Sequence, residues 1–270
     1  MDVDQFRTAR ARWKPLVDSV LGAATEQMFN MAKLSVGDTV LDIGAGAGAQ
    51  SLEAAGRVGG SGRVVATDIA ADLLEIAAAD ARAVGFATLE CRVMNAEELD
   101  FASDSFDAVI SRNALMYIPD ISRALNGVHR VMRSGGRFAS IVWSTPDHNG
   151  FLSAFERTMT EHLRACGINM LMPDPFRFGQ HGSLESLLVS AGLVNVRTRV
   201  VPAPWRLRSA EAALDFLRGN PSYLLRAAQE LPESVLAAAW AEIRQKLQRY
   251  DSPSGFVAPG ELVVVAAKKR

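Results

Sequence analysis

Apolar positions along this chain follow two rhythms. From Pro15, the residues Leu16, Val17, Val20, Leu21, Ala24, Met28, Phe29 and Ala32 recur at three- and four-residue spacing, the period of one helical face, until Val36-Gly37-Asp38 interrupts them. Residues 1–35 are therefore expected to be mostly helical, with Pro15 opening the pattern. From Thr39 short β-rich runs alternate with helical stretches. The pattern predicts strands at Thr39–Gly44, Arg63–Asp68, Thr88–Met94, Asp107–Ser111 and Arg137–Trp143. Between them it predicts helices at Ala47–Val58, Ala71–Val84 and Ile121–Met132, the last ending at Ser134-Gly135-Gly136. Such alternation builds right-handed βαβ crossovers, and hence an α/β, Rossmann-like, doubly wound parallel sheet.

Beyond Ser144 the pattern loosens. Pro146-Asp147-His148-Asn149-Gly150 is turn chemistry, Phe151–Ala165 and Leu184–Ser190 read as helices, and Asn195–Val201 reads as a strand. Residues 208–250 are expected to be helical with breaks at Pro221 and Pro232, before a closing strand at Glu261–Ala267. That last strand is apolar on both faces, which places it inside the sheet. Segments 1–35, 145–182 and 204–258 thus read as helical lid additions to a core made of 36–144, 183–203 and 259–270.

The 270 residues are 49% apolar and carry a net charge of −1, enough to bury a large core without staples. No surplus of Lys and Arg favours a phosphate backbone, so a small molecule is the expected partner and nucleic acid is not. The two cysteines, Cys91 and Cys166, form neither a disulfide framework nor a zinc spacing; reduced thiols and no metal are expected. Met1-Asp2-Val3-Asp4-Gln5 is acidic and leads into no apolar stretch, and the longest apolar run, Val235–Ala241, is too short for a membrane span. A cytoplasmic location is the expectation, and a homo-oligomer is left open.

The most informative stretch is Val40-Leu41-Asp42-Ile43-Gly44-Ala45-Gly46-Ala47-Gly48, a strand running into a Gly-rich turn and then a helix. A dinucleotide fingerprint would put its third glycine at position 49, which is Ala, so a pyrophosphate cradle is disfavoured. Glycines at this turn still allow positive φ and close approach of a ligand to the backbone. Asp68 ends the second strand, where a carboxylate can accept hydrogen bonds from two vicinal ribose hydroxyls or, more simply, cap the following helix.

These residues resemble the class I S-adenosylmethionine-dependent methyltransferases, and within them the type 11, quinone C-methyltransferase-like branch. The likeness runs from Val36-Gly37-Asp38 through the 42–48 turn, Thr67-Asp68-Ile69, Asn95-Ala96-Glu97-Glu98, Ser105-Phe106-Asp107, Leu115-Met116-Tyr117 and Arg130–Gly136 to Trp143. It implies a seven-stranded sheet whose last strand is antiparallel and inserts between strands five and six. It also implies that Gly44, Ala45 and Gly46 lie against the cofactor's methionine part, in a cofactor-binding turn that runs to Gly48, with Asp42 helping to orient it. Asp68 and Ile69 would hold ribose and adenine, Asn95 and Ala96 the adenine edge, and Ser111 and Arg112 the methionine tail. Many relatives carry Asp where this chain has Asn95, and an amide donates as well as accepts.

Methyl transfer from a sulfonium is an in-line displacement that needs alignment and exclusion of water more than a catalytic triad. If a base assists, the candidates after strands four and five are Tyr117 and His148, an imidazole being suited to proton transfer near neutral pH. The Asn/Asp/Ser-Pro-Pro-aromatic motif of amino-methylating nucleic-acid enzymes is missing: the segment reads Ser111-Arg112-Asn113-Ala114. Trp13, Phe29, Phe151, Met170, Met172, Phe176, Phe178, Trp205 and Tyr223 in the outer segments suit an apolar acceptor of natural-product, prenylated or quinone-like kind. The alternatives are an NAD-dependent oxidoreductase and a non-catalytic small-molecule binding protein on the same fold.

Overall fold

The computed structural model describes residues 3–168, 174–219 and 222–270, so Met170, Met172 and Pro221 lie outside the described residues. In chain order the elements are α1 (Val3–Ala32), β1 (Thr39–Ile43), α2 (Ala49–Val58), β2 (Arg63–Asp68), α3 (Ala71–Ala83), β3 (Leu89–Val93) and β4 (Phe106–Arg112). Then come α4 (Ile121–Val131), β5 (Met132–Trp143), α5 (Gly150–Ala165), α6 (Ser183–Ser190), β6 (Val194–Pro202) and β7 (Trp205–Leu207). The chain finishes with α7 (Ala210–Gly219), α8 (Tyr223–Ala228), α9 (Glu233–Gln248), β8 (Asp251–Ser252), β9 (Gly255–Ala258) and β10 (Glu261–Lys268).

Two compact units result. The sheet unit comprises Ala23–Ser144, Asp174–Val201 and Leu262–Arg270, and the helical unit Met1–Gly22, Thr145–Pro173 and Pro202–Glu261. Residues 23–35 and 174–182, read from sequence with the outer segments, therefore group with the sheet.

The sheet unit holds a seven-stranded sheet in the order β3-β2-β1-β4-β5-β10-β6. β1 pairs in parallel with β2 and β4, while β10 runs antiparallel to β5, with Val264 opposite Ile141. This is the seven-stranded, Rossmann-like arrangement with an inserted antiparallel last strand. Its centre is apolar on both faces because helices follow the parallel strands: Val40, Leu41, Val64, Val65, Val109, Ile110, Phe138, Ile141 and Val264 are all fully buried. Helix α4 shows why such a segment forms. Ile121, Ala124, Leu125, Val128 and Val131 make one buried stripe, and Asp120 caps the start by accepting a hydrogen bond from the Arg123 amide at 2.9 Å.

Three expectations are corrected. Pro15 does not open α1 but lies inside it. A proline removes only its own N–H and crowds one carbonyl, a local loss that the surrounding turns tolerate. The Ser134-Gly135-Gly136 segment, expected to stop a helix, instead lies within β5. Phe106 pairs with Met132 and Ala108 with Arg137, so the residues between are bulged out of register. Gly135 has φ 75° there, and a Cβ on Gly136 would lie 2.7 Å from the Arg133 carbonyl oxygen. Third, the 204–258 segment is not purely helical: β7, β9 and β8 form a three-stranded antiparallel sheet within the helical unit.

The helical unit has its own aromatic core. Phe151 lies 4.9 Å from Trp205 and 5.8 Å from Phe256, and Trp13 meets Phe216 edge-on at 5.3 Å. Phe29, Phe176 and Phe178, read with these as lid aromatics, are buried in the sheet unit instead. Among the described residues no helix is long and apolar enough to cross a membrane, and no group of three or more His, Cys, Asp or Glu side chains is placed to hold a metal ion.

Candidate functional site

The site is built where β1, β2 and β4 end. After β1 the chain turns through Gly44, Gly46 and Gly48, with φ of 66°, 55° and 76°, before entering α2. Each glycine serves the turn differently. A Cβ on Gly44 would lie 2.2 Å from the Ala114 Cβ, and one on Gly48 would lie 2.5 Å from the Ala77 Cβ, so these two bring backbone against neighbouring side chains. Gly46 meets nothing within 4 Å; its glycine is required by φ and by whatever occupies the open space beside it.

Asp68 ties this turn to β2. Its Oδ2 accepts from the Gly46 amide at 2.8 Å and its Oδ1 accepts from the Ala70 amide at 2.9 Å. The helix-cap reading and the ligand reading are therefore compatible, because each carboxylate oxygen keeps a second lone pair for a hydroxyl donor. Below the turn Asp42 is fully buried. It accepts from the Ser51 hydroxyl at 2.5 Å and the Gln50 amide at 3.3 Å, and burial pushes its carboxyl up to about 7.

A cavity of about 270 Å³ opens against these elements. Gly44, Asp68, Ile69, Asn95, Ala96 and Tyr117 line it, together with Ile43, Thr67 and Met94. Its remaining wall is Asn113, Ala114, Ile118 and Pro119, which follow β4. Asn113 was not singled out from sequence. It adopts φ 53°, its amide N–H is taken by the Ile141 carbonyl at 2.9 Å, and its buried Oδ1 has no hydrogen-bond partner among the described residues. Left-handed backbone and a buried, unmet acceptor mark Asn113 as a strained position beside the cavity.

The other sequence-predicted residues are not among those lining the cavity. Asp42 and Ser111 are buried beneath it, Ser111 donating to the Ile43 carbonyl at 2.9 Å; Ala45 is buried in the turn, donating to the Thr67 carbonyl at 2.9 Å. Arg112 donates to the Thr25 hydroxyl at 3.1 Å and so joins the end of β4 to α1. Gly46 and Gly48 shape the turn. His148 belongs to the helical unit, where its exposed ring has Nδ1 3.2 Å from both Thr145 Oγ1 and a Glu261 carboxylate oxygen.

A strand-glycine-turn-helix opening, an acid closing β2 and a sheet with an inserted antiparallel strand define the fold of an S-adenosylmethionine-dependent methyltransferase. The chain belongs to the methyltransferase domain family, whose model matches residues 34–170, and S-adenosylmethionine is its cofactor. It is 28% identical over 271 residues to an uncharacterized protein of Mycobacterium tuberculosis, covering 97% of this chain and 94% of that one. It is 29% identical over 248 residues to nocamycin O-methyltransferase of Saccharothrix syringae, covering 87% and 86%. Among solved structures it resembles the YcgJ protein of Bacillus subtilis, with a TM-score of 0.63 at 18% identity over 92% of this chain and 99% of that one, a likeness of fold.

The cavity suits the cofactor on its own chemistry. Asp68 offers anionic acceptors for hydroxyls, Ile69 and Met94 offer apolar surface for a base, and Asn95 offers a side-chain amide.

Proposed function

We propose that the protein methylates an apolar small molecule of natural-product kind, at a carbon, oxygen or nitrogen atom. The observation that carries this reading is the cavity wall on the side of β4. Beyond Asp68 it continues as Ala114, Tyr117, Ile118 and Pro119, an apolar surface with a phenol at its rim. The likeness to a natural-product O-methyltransferase over most of both chains supports the same acceptor class.

When bound, the cofactor supplies a methyl group on a sulfonium, and the protein's part is to hold, align and dry the reacting pair. In this reading Asp68 accepts from the ribose hydroxyls while keeping the Gly46 amide in place. Ile69 and Met94 cover the adenine, Asn95 meets its edge, and the methionine part lies along the glycine turn, where Gly46 leaves open space. Asp42 with Gln50 and Ser51 holds the turn from below without touching the ligand. Tyr117 is the cavity's own candidate for taking or orienting an acceptor proton. His148 remains a proposed base for the acceptor's proton.

The test is incubation of the full chain with methyl-labelled cofactor and a panel of hydroxylated polyketides, quinones and prenylated phenols, read by mass spectrometry. A labelled product gaining one methyl supports the reading. Transfer confined to polar amines or to nucleic acid would contradict it.

A further inference from the structure

The helical unit contains a cavity of its own, of about 240 Å³, with Leu225, Ala228, Leu236 and Trp240 as its apolar part and Arg218 and Arg226 as its cations. Ser222 and Gln229 also line it, and among the described residues no carboxylate does. In a chain of net charge −1, two guanidinium groups beside an apolar hollow without a lining acid form a local concentration of positive charge.

The two arginines are held differently. The Arg218 guanidinium carbon lies 4.9 Å over the Trp240 ring, and that ring is itself stacked on Phe155 at 5.8 Å. Its nearest acid is Glu211, at 3.8 Å, and Glu211 also pairs with Arg244 at 3.1 Å. Arg218 is thus oriented by stacking while its charge is only weakly countered. Arg226 is exposed on α8 and has no ion-pair partner among the described residues. The Ser222 oxygen accepts from the Leu225 amide at 3.2 Å, which leaves its hydroxyl proton, with the arginines and Gln229, as donors for a ligand.

We propose that this cavity binds an amphipathic anion, a carboxylate or phosphate head held by Arg218 and Arg226 and carried on an apolar body lying against Leu225, Leu236 and Trp240. Guanidinium forks match both heads, and a planar group fixed in advance loses less freedom on binding. The volume lies below the ~300–1,000 Å³ typical of pockets for drug-sized molecules, so the body is small, a single aryl ring or a medium alkyl chain.

Isothermal titration of the full chain with octanoate, octyl phosphate and 1-octanol tests this. Wild type, Arg226→Gln and Arg218→Gln are compared, with S-adenosylhomocysteine affinity measured on each. The expected result is binding of an anion, at least about tenfold weaker binding of 1-octanol, and loss of about tenfold in anion affinity in each variant, with cofactor-product affinity unchanged. Whichever anion binds more tightly identifies the head group. Equal binding of 1-octanol and octanoate, wild-type anion affinity in both variants, or no binding of either anion would overturn the proposal. Failure of S-adenosylhomocysteine to bind would instead count against the cofactor assignment and leave this test intact.

Discussion

At the scale of single residues, the account rests on Gly46, Asp68 and Asp42. Gly46→Val is expected to abolish S-adenosylhomocysteine binding in calorimetry while the circular dichroism spectrum stays that of the wild type. Its side chain would enter open space rather than the core, and a β-branched residue at φ 55° is strained. Retained affinity would remove the turn from the binding site. Asp68→Ala removes a charged acceptor worth roughly 1.5–3 kcal/mol per hydrogen bond, and at the same time frees the Gly46 amide. At least about a tenfold rise in Kd should follow. Asn113→Leu fills the same wall without an acceptor and should also weaken cofactor or acceptor binding; unchanged affinity for both would reduce its unmet oxygen to a consequence of the turn. For Asp42 the sign follows from linkage. Its folded-state pKa of about 7 stands above the ordinary 3.8, so between these values the unfolded chain has released a proton that the folded chain retains. Stability is therefore expected to fall as pH rises through that window. Asp42→Asn should flatten this part of the Tm profile, and a profile identical to wild type would show that Asp42 titrates normally.

At the scale of elements, the strands and helices of the sheet unit were legible because parallel strands covered on both faces read as short apolar runs, and their helices as apolar stripes of a different period. The same physics predicts what holds them. Phe138→Ala, in the middle of β5 with no exposure, should cost ~3–5 kcal/mol in denaturant unfolding, and a loss below about 1 kcal/mol would mean the sheet can close around the cavity. The small sheet of β7, β8 and β9 was not legible, since strands of two to four residues are too short to show alternation. Nor was the bulge in β5: Gly135 and Gly136 announce a special backbone, but whether it ends a helix or distorts a strand is decided by the pairing of Met132 with Phe106. At the site, the glycine turn and Asp68 were legible from spacing. Asn113 was not, because an unmet hydrogen bond is a property of the folded wall and leaves no mark in sequence.

At the scale of the whole molecule, α1 contributes its residues to Gly22 to the helical unit and those from Ala23 to the sheet unit. Within the sheet unit, Thr25 accepts from Arg112, the residue before Asn113. Ligand contact at the end of β4 thus has a short covalent and hydrogen-bonded route to α1. Amide exchange along residues 3–32 is expected to slow when S-adenosylhomocysteine binds, because segments that gate a site are drawn from the least stable part of a structure. Removing residues 1–13 takes away Trp13 and its contact with Phe216, and should lower turnover more than it lowers Tm. Full protection without ligand, or normal turnover of the shortened chain, would make α1 a fixed brace.

The central claim, that the cavity beside Gly44, Asp68 and Asn113 holds S-adenosylmethionine, is tested most directly by titrating wild type and Asp68→Ala with S-adenosylhomocysteine and with NAD. The account predicts micromolar or tighter binding of S-adenosylhomocysteine to wild type, at least about tenfold weaker binding to Asp68→Ala, and no comparable binding of NAD. Tighter binding of NAD, or an affinity for S-adenosylhomocysteine that does not depend on Asp68, would contradict it.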